Sequence, residues 1–144
     1  MIGTRTFVDT NVLTCLFDDG EPEKQALAGE RLRAEQAQKE LVVSTQVLQE
    51  LYASLTQGQQ PIATPDIAEQ AVRHAAELTV VHIDVVLVLE AIARCREHSL
   101  SFWDSLIVGA ASASGCTVLL SEDLNHGQLF GNVRVVNPFQ EGEP

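Results

Sequence analysis

Two kinds of hydrophobic pattern alternate along the chain. Short continuous runs of apolar and β-branched residues are typical of strands buried on both faces. They predict strands over residues 5–8, 41–44, 79–83 and 116–120, and a last edge strand over residues 134–136. Longer stretches, rich in helix formers or with apolar positions at helical spacing, predict helices over residues 10–17, 21–40, 45–57, 65–78, 84–98 and 101–114. The helix over residues 84–98 is apolar on almost every side, which predicts a buried helix.

The alternation of strands and helices decides the expected fold class. A strand followed by a helix, repeated along the chain, is typical of an α/β fold with a parallel sheet and helices on its faces. No internal repeat, low-complexity tract or long linker divides the chain, and 144 residues is the length of one domain. We therefore expect a single domain over residues 1–140 and a flexible tail over residues 141–144.

The charge balance is the unusual feature of the composition. Nine Lys and Arg residues stand against twenty Asp and Glu residues, which gives a net charge of −11 at pH 7. An extended nucleic-acid-binding surface depends on Lys and Arg that neutralise phosphates. The balance therefore counts against a basic binding platform, while 45% hydrophobic residues fit an ordinary soluble globular protein.

The cysteines and the N-terminal sequence indicate a cytoplasmic protein. Cys15, Cys95 and Cys116 form no Cys-x-x-Cys pair, and the first two have apolar neighbours, as buried free thiols in a reducing compartment do. Asp9 interrupts any apolar signal-peptide region. No window approaches the roughly 18 uncharged apolar residues of a membrane helix, so we expect no membrane association.

Four acidic residues stand out by their position relative to the predicted elements. Asp9 and Asp123 follow the ends of two predicted strands, while Glu50 and Asp104 lie early in predicted helices. In open parallel sheets, ligands bind at the carboxyl ends of the strands. One arrangement can therefore bring all four carboxylates to one edge of the sheet.

Each of these acids also has an ordinary structural explanation. Asp9 or Thr10 could cap the next helix, and Ser101 with Asp104 resembles a capping box with Asp in place of Glu. Glu50 could lie on a solvated helix flank, and Asp123 could be a turn residue. No single acid decides between the two explanations, so the case for a site depends on the convergence of all four.

Other catalytic classes lack their sequence signatures. The chain contains no phosphate-binding loop, no dinucleotide fingerprint, no Gly-x-Ser-x-Gly elbow and no His-x-x-x-His pair. Phe102 and Trp103 are expected in the core rather than in a base-stacking platform, since the chain has few aromatic residues.

Several segments together resemble the motifs of PIN-domain ribonucleases. The opening motif of that family resembles FVDTNVL at residues 7–13, and its third acidic motif resembles SFWDSLI at residues 101–107. Its C-terminal motif resembles LSEDLNHG at residues 120–127, followed by VNPF at residues 136–139. QEL at residues 49–51 fits the second acidic position, which is the least specific. The similarity is strongest to single-domain bacterial PIN proteins, including VapC-type toxins of toxin–antitoxin pairs.

The resemblance implies a fold and a role for each matching position. The fold would be a three-layer α/β/α sandwich around a central, mostly parallel sheet of four or five strands. The acidic cluster that holds Mg²⁺ or Mn²⁺ would be formed by Asp9, Glu50, Asp104 and Asp123. Asn11 and Ser121 match polar positions that support the cluster by hydrogen bonds. Asn125 stands where some relatives carry another acid, and His126 is expected at the surface.

General chemistry is consistent with the implied activity. Neighbouring carboxylates do not all stay ionised without a counter-charge, and a divalent cation supplies one. A bound cation can polarise a phosphate and lower the pKa of a water. The resemblance thus implies a metal-dependent endoribonuclease, the toxin of a toxin–antitoxin pair, that hydrolyses RNA with an activated water. The alternative is a PIN-fold binding or regulatory protein whose acidic pocket holds metal or a partner without efficient cleavage.

The partners follow from the same resemblance. They would be an RNA substrate and an antitoxin protein, and a homodimer is expected by base rate and by family. The net charge of −11 would favour a cationic antitoxin segment.

Overall fold

The computed structural model describes residues 4–140, which form a six-stranded sheet and six helices. The tail predicted at residues 141–144 lies outside the described residues. The strands are β1 (Arg5–Val8), β2 (Glu40–Ser44), β3 (Thr79–Val81), β4 (Val118–Leu120), β5 (Leu129–Phe130) and β6 (Val133–Val136). The helices are α1 (Thr10–Cys15), α2 (Pro22–Gln38), α3 (Thr45–Thr56), α4 (Pro65–Ala75), α5 (Val85–Glu97) and α6 (Phe102–Ala113).

The sheet order is β3-β2-β1-β4-β6-β5, and every neighbouring pair is parallel except β5 and β6. At the centre, Phe7 of β1 is in register with Val42 of β2 on one side and Leu119 of β4 on the other. The right-handed crossover rule places α1–α4 on one face and α5 and α6 on the other. The predicted α/β fold with a mostly parallel sheet is therefore confirmed. Because the chain leaves β1 in one direction and returns to β4 on its other side, the strand order reverses there and opens a crevice.

The central strands are continuous apolar runs because both of their faces are covered. Phe7, Val8, Leu119 and Leu120 are fully buried in one large core. Fully burying such a side chain contributes about 1.5–3 kcal/mol. The rigid centre of the sheet thus fixes the residues that follow β1 and β4.

Side-chain caps set the starts of the helices that carry predicted site residues. The Ser44 hydroxyl accepts a hydrogen bond from the backbone N–H of Val47 at the start of α3. The Ser101 hydroxyl accepts one from the backbone N–H of Asp104 at the start of α6. Each cap satisfies a backbone donor that has no partner within the helix. Glu50 of α3 and Asp104 of α6 therefore have defined positions near the carboxyl edge of the sheet.

The sheet has one strand more than the four or five expected. The extra strand, β5, is only two residues long and pairs antiparallel with β6 through a turn at Gly131, whose φ is +59°. Such a short segment gives no periodic signal in the sequence. Because β5 lies outside β6, the prediction that residues 134–136 form an edge strand is wrong.

Helix α5 is not the buried helix that its composition predicts. Val85, Val86 and Leu89 expose 72%, 61% and 59% of their surface, whereas Leu87 and Ala91 are buried. The buried pair forms a small cluster with Leu106 of α6. The helix packs on α6 along one side, so an apolar composition all round leaves an apolar outer face.

The structure bears on two sequence expectations, the burial of the cysteines and the absence of a membrane helix. Cys15 and Cys95 are partly exposed rather than buried, while Cys116 is buried. No helix within residues 4–140 has the length and apolar character needed to cross a membrane.

Candidate active site

A cleft of about 530 Å³ opens where β1 and β4 end. All four acids selected from the sequence line it, each delivered by a different part of the fold: Asp9 after β1, Glu50 from α3, Asp104 from α6 and Asp123 after β4. The parallel sheet explains this convergence, since the carboxyl ends of its strands meet at one edge.

Asp9 is buried at the floor of the cleft. One of its carboxylate oxygens, Oδ1, accepts a hydrogen bond of 2.7 Å from the backbone N–H of Thr10, which makes Asp9 the N-cap of α1. The other oxygen, Oδ2, accepts a hydrogen bond of 2.8 Å from the Ser121 hydroxyl. Asp9 thus both caps α1, as considered from the sequence, and lines the cleft.

Asn11 and Ser121 link the two acids that follow the strands. The Asn11 Nδ2 donates to Asp123 Oδ2 at 3.0 Å and lies 3.5 Å from Asp9 Oδ2. Its Oδ1 accepts a hydrogen bond of 3.1 Å from the backbone N–H of Glu122. The Ser121 hydroxyl, besides donating to Asp9, accepts from the backbone N–H of Asp123 at 3.2 Å. Both side chains thus hydrogen-bond to acids of the cleft.

Glu50 is held at both carboxylate oxygens by residues that sequence reasoning missed in this role. The Thr10 hydroxyl donates to Oε1 at 2.8 Å, and the Gln46 Nε2 donates to Oε2 at 3.2 Å. Gln46 also donates to the backbone oxygen of Trp103 at 3.2 Å. The sequence considered Thr10 only as a helix cap. The spacing of Gln46 four residues before Glu50 is the signal that could have revealed its contact.

The prediction that Phe102 and Trp103 belong to the core is wrong for Trp103. Phe102 is half-buried against the cluster that joins α5 to α6, but Trp103 is 60% exposed and lines the cleft beside Asp104. Adjacent helix residues point in different directions, so one faces α5 and the other the cleft.

Burial raises the pKa of two of the four carboxyl groups, Asp9 and Asp104. The pKa of Asp9 is raised to about 7, chiefly by burial; the hydrogen bonds from Ser121 and Thr10 lower it, and the charges of Asp123 and Glu50 add to the rise. Burial also raises the pKa of Asp104, again with contributions from Asp123 and Glu50. The cluster therefore carries negative charge that the protein itself leaves poorly compensated.

Lys24, the one Lys or Arg among the described residues that line the cleft, is not paired with any of the four acids. Lys24 of α2 lines the cleft, but its ammonium group is paired with Glu122 and lies 5.1 Å from the centre of the Phe139 ring. The hydrogen bond to Glu122 raises the pKa of Lys24. A cation from outside the chain would therefore stabilise the ionised form of the acids.

The donor set fits a hard divalent cation. Carboxylate oxygens are the ligands that Mg²⁺ and Mn²⁺ prefer, and Mg²⁺ usually takes one or two carboxylates and keeps several waters. Within the described part of the chain, no three His, Cys, Asp or Glu side chains form a group that could hold one ion. The arrangement therefore suits an ion held by fewer carboxylates, with water in the remaining positions.

A second groove of about 310 Å³ borders the cluster on its other side. Asp104 and Asp123 line both clefts, and the groove adds polar residues, among them Ser99, Asn125 and Gln128. Asn125 thus lies beside the two acids. His126 is turned to the backbone, where its Nδ1 accepts a hydrogen bond of 3.0 Å from the Asn137 N–H.

Comparisons with known proteins give one family and several similar structures. A family model described as PIN domain matches residues 6–129. No match was found among curated proteins.

Three solved structures illustrate the similarity. VapBC2 from Rickettsia felis, bound to a DNA fragment from its promoter, is 13% identical with a TM-score of 0.67, covering 92% of this chain and 97% of that chain. A toxin–antitoxin complex from Klebsiella pneumoniae is 18% identical with a TM-score of 0.69, covering 94% of this chain and 99% of that chain. VapC20 from Mycobacterium tuberculosis, described as a sarcin-ricin loop cleaving toxin, is 21% identical with a TM-score of 0.56, covering 82% and 91%. At these identities the similarity shows a shared fold.

Proposed function

Because the chain belongs to the PIN domain family, we propose that it is a metal-dependent endoribonuclease. It would hydrolyse RNA phosphodiester bonds with a water activated by Mg²⁺ or Mn²⁺. The observation that carries this proposal is the convergence of Asp9, Glu50, Asp104 and Asp123 in one cleft, whose lining Lys24 is paired with Glu122 rather than with any of the four. The donor chemistry and the raised pKa of Asp9 support the same assignment.

The chain's own residues have defined tasks in this reaction. A bound divalent cation would polarise the phosphate, lower the pKa of the attacking water and stabilise the leaving oxygen. One or two of the carboxylates Asp9, Glu50, Asp104 and Asp123 would hold that cation, and the others would keep the cleft negative around it. Ser121 and Asn11 fix the orientation of Asp9 and Asp123, and Thr10 fixes one oxygen of Glu50. Fixed donors of this kind avoid reorganisation when charge develops during the reaction.

A cleavage assay tests the proposal. The purified protein is incubated with structured and unstructured RNA, with Mg²⁺, with Mn²⁺ and with EDTA. We expect cleavage only with metal, products that carry a 5′-phosphate and a 3′-hydroxyl, and losses of about 100-fold or more in Asp9→Asn and Asp104→Asn. Asp66→Asn is the matched control, because Asp66 lies in the first turn of α4 as Asp104 does in α6, but is exposed away from the cleft.

The outcomes separate an enzyme from the alternative. Equal cleavage by the wild type and Asp9→Asn contradicts the proposal. Stabilisation of the wild type by metal, without any cleavage, favours a binding or regulatory protein that uses the same pocket.

We propose further that the chain is the toxin of a toxin–antitoxin pair in the cytoplasm. This is supported by similarity to the Klebsiella pneumoniae toxin–antitoxin complex and to DNA-bound VapBC from Salmonella typhimurium, at 18% and 17% identity. A net charge of −11 favours a partner with a cationic segment. Growth arrest on expression, absent in Asp104→Asn and relieved by a small protein encoded beside it, would support this role. Size-exclusion chromatography tests the expected homodimer.

A further inference from the structure

Trp103 is a large aromatic side chain in an unusual place. It exposes 60% of its surface although it adjoins Asp104, one of the four acids of the cleft. A Trp side chain carries a large apolar area whose exposure is unfavourable, so it is normally well buried. An exposed indole at the wall of a cleft therefore suits a ligand that covers it.

The indole is held in a fixed relation to the acids. Its ring forms a T-shaped pair with the Phe102 ring, with centroids 5.0 Å apart and planes at 75°. Gln46 ties the backbone oxygen of Trp103 to the carboxylate of Glu50. The contact with Phe102 and the hydrogen-bonded backbone restrict the indole, so its exposed surface can bind a ligand with a smaller loss of conformational entropy.

The charges in the cleft limit direct phosphate contacts and favour base stacking as a way to bind an RNA strand. The acids repel phosphates except through a bound cation, and Lys24 is engaged by Glu122. Every nucleotide has a base with a π-face, so stacking on an aromatic ring needs no positive charge and tolerates sequence. Trp103 and the four acids line the same cleft, so a strand whose phosphate is held at the acids can place a neighbouring base on the indole.

We propose that Trp103 is a substrate-binding residue that stacks on one base of single-stranded RNA next to the scissile phosphate. The proposal rests on the proposed ribonuclease function and adds how the substrate is held there. A protein side chain seated on the same ring is the competing occupant.

Intrinsic fluorescence reports on this contact directly, because Trp103 is the one tryptophan in the sequence. The wild type, which keeps all four carboxylates of the cleft, is titrated in Mg²⁺ with a short single-stranded RNA made of non-hydrolysable phosphodiester analogues. Matched RNAs carry one abasic site, moved along the strand one position at a time. We expect quenching by the intact RNA and loss of most of the quenching at a single abasic position. Equal quenching by all the RNAs, or none by any, overturns the proposal.

Steady-state kinetics give a second readout. We expect Trp103→Ala to raise KM about 5- to 100-fold, with kcat within about threefold of the wild type, since stacking away from the reacting atoms stabilises the bound substrate and the transition state alike. Trp103→Phe should recover most of the loss. Leu89→Ala is the matched control, because Leu89 is equally exposed but lies on α5 outside the cleft.

The two proposals fail in different ways. If Trp103→Ala cleaves RNA with unchanged, metal-dependent kinetics, the stacking proposal is wrong and the ribonuclease proposal is unaffected. If the wild type does not cleave RNA, the ribonuclease proposal is wrong. Quenching that depends on one base would still support stacking of RNA on Trp103. A fluorescence change that follows protein concentration rather than RNA assigns Trp103 to a protein interface and overturns the proposal.

Discussion

Asp9 shows how one side chain combines structural and chemical demands. Its carboxylate caps α1 and accepts from Ser121, yet burial and the neighbouring acids raise its pKa to about 7. Two hydrogen bonds therefore do not offset the cost of burying the charge. Near neutral pH, ionised Asp9 therefore destabilises the metal-free protein, and a bound cation would offset this loss.

The pH dependence of stability follows from this shift. The unfolded chain ionises Asp9 near pH 3.8 and the folded chain near pH 7. Between these values the folded state binds the extra proton at Asp9, so the contribution of Asp9 to the free energy of unfolding falls as the pH rises and levels off above about pH 7. Asp9→Asn removes this loss. In EDTA, we expect the variant to exceed the wild type by about 2 kcal/mol or more at about pH 8, and by little at about pH 4.

Urea unfolding at the two pH values measures the difference. Asp66→Asn serves as the control, since Asp66 is exposed and should show no comparable pH-dependent gain. Mg²⁺ or Mn²⁺ should stabilise the wild type and not Asp9→Asn, because only a folded state that binds the ion gains from it. A gain that does not change with pH would mean that the charge of Asp9 is not its cause.

The sequence was more informative about the acids than about their partners. The ends of predicted strands located Asp9 and Asp123, because the geometry of parallel sheets is general. The contact of Gln46 with Trp103 joins two helices that are distant in sequence, and no local pattern encodes it. The exposure of Trp103 escaped prediction for a related reason: periodicity shows that a helix has faces, but not which neighbour covers each one. The catalytic role of the four acids stays a prediction.

At the level of elements, α5 shows that an apolar composition does not by itself mean that a helix is buried. Its residues are apolar around most of the helix, but α6 covers only the side that holds Leu87 and Ala91. The outer residues Val85, Val86 and Leu89 are left exposed. A buried helix and a one-sided helix can therefore share a composition, and only the packing distinguishes them.

Two truncations on α5 test this packing. Leu87 is 7% exposed and Leu89 is 59% exposed, although they are two residues apart on one helix. We expect Leu87→Ala to lower the free energy of unfolding by about 2–4 kcal/mol and Leu89→Ala by about 0.5 kcal/mol or less, as measured by urea unfolding of dilute protein. Equal losses would show that another surface covers the outer face. A loss for Leu89→Ala that grows with protein concentration would identify that surface as a second copy of the chain.

The helices and strands were predictable where their ends carry local signals. Helix α4 begins at Pro65 after the cap Thr64, as the turn residues indicated, and helix α6 begins after the cap Ser101. Strand β5 was missed because its two residues pair only with β6, a contact formed in the folded chain. Local chemistry thus predicts element ends well, and sheet edges poorly.

For the whole molecule, the net charge of −11 limits the kind of RNA contact that is available. Five of the nine basic residues are paired with carboxylates within residues 4–140: Arg5, Lys24, Arg31, Lys39 and Arg73. The remaining four arginines are divided among α2, α5 and β6. Little positive surface is left to follow an RNA backbone, so a metal-mediated contact and one stacked base would carry most of the recognition.

This balance predicts an unusual response to salt. A protein that neutralises six to ten phosphates loses about 10³- to 10⁵-fold in affinity between about 50 and 200 mM salt. Here we expect kcat/KM, measured at saturating Mg²⁺, to change by less than about tenfold over that range, because few counterions are released and screening weakens the repulsion between two polyanions. Replacing the exposed Glu23 and Glu30 of α2 by Lys should steepen the decline with salt. A steep decline in the wild type would require an extended cationic surface, which neither the composition nor the ion pairs of the described chain provide.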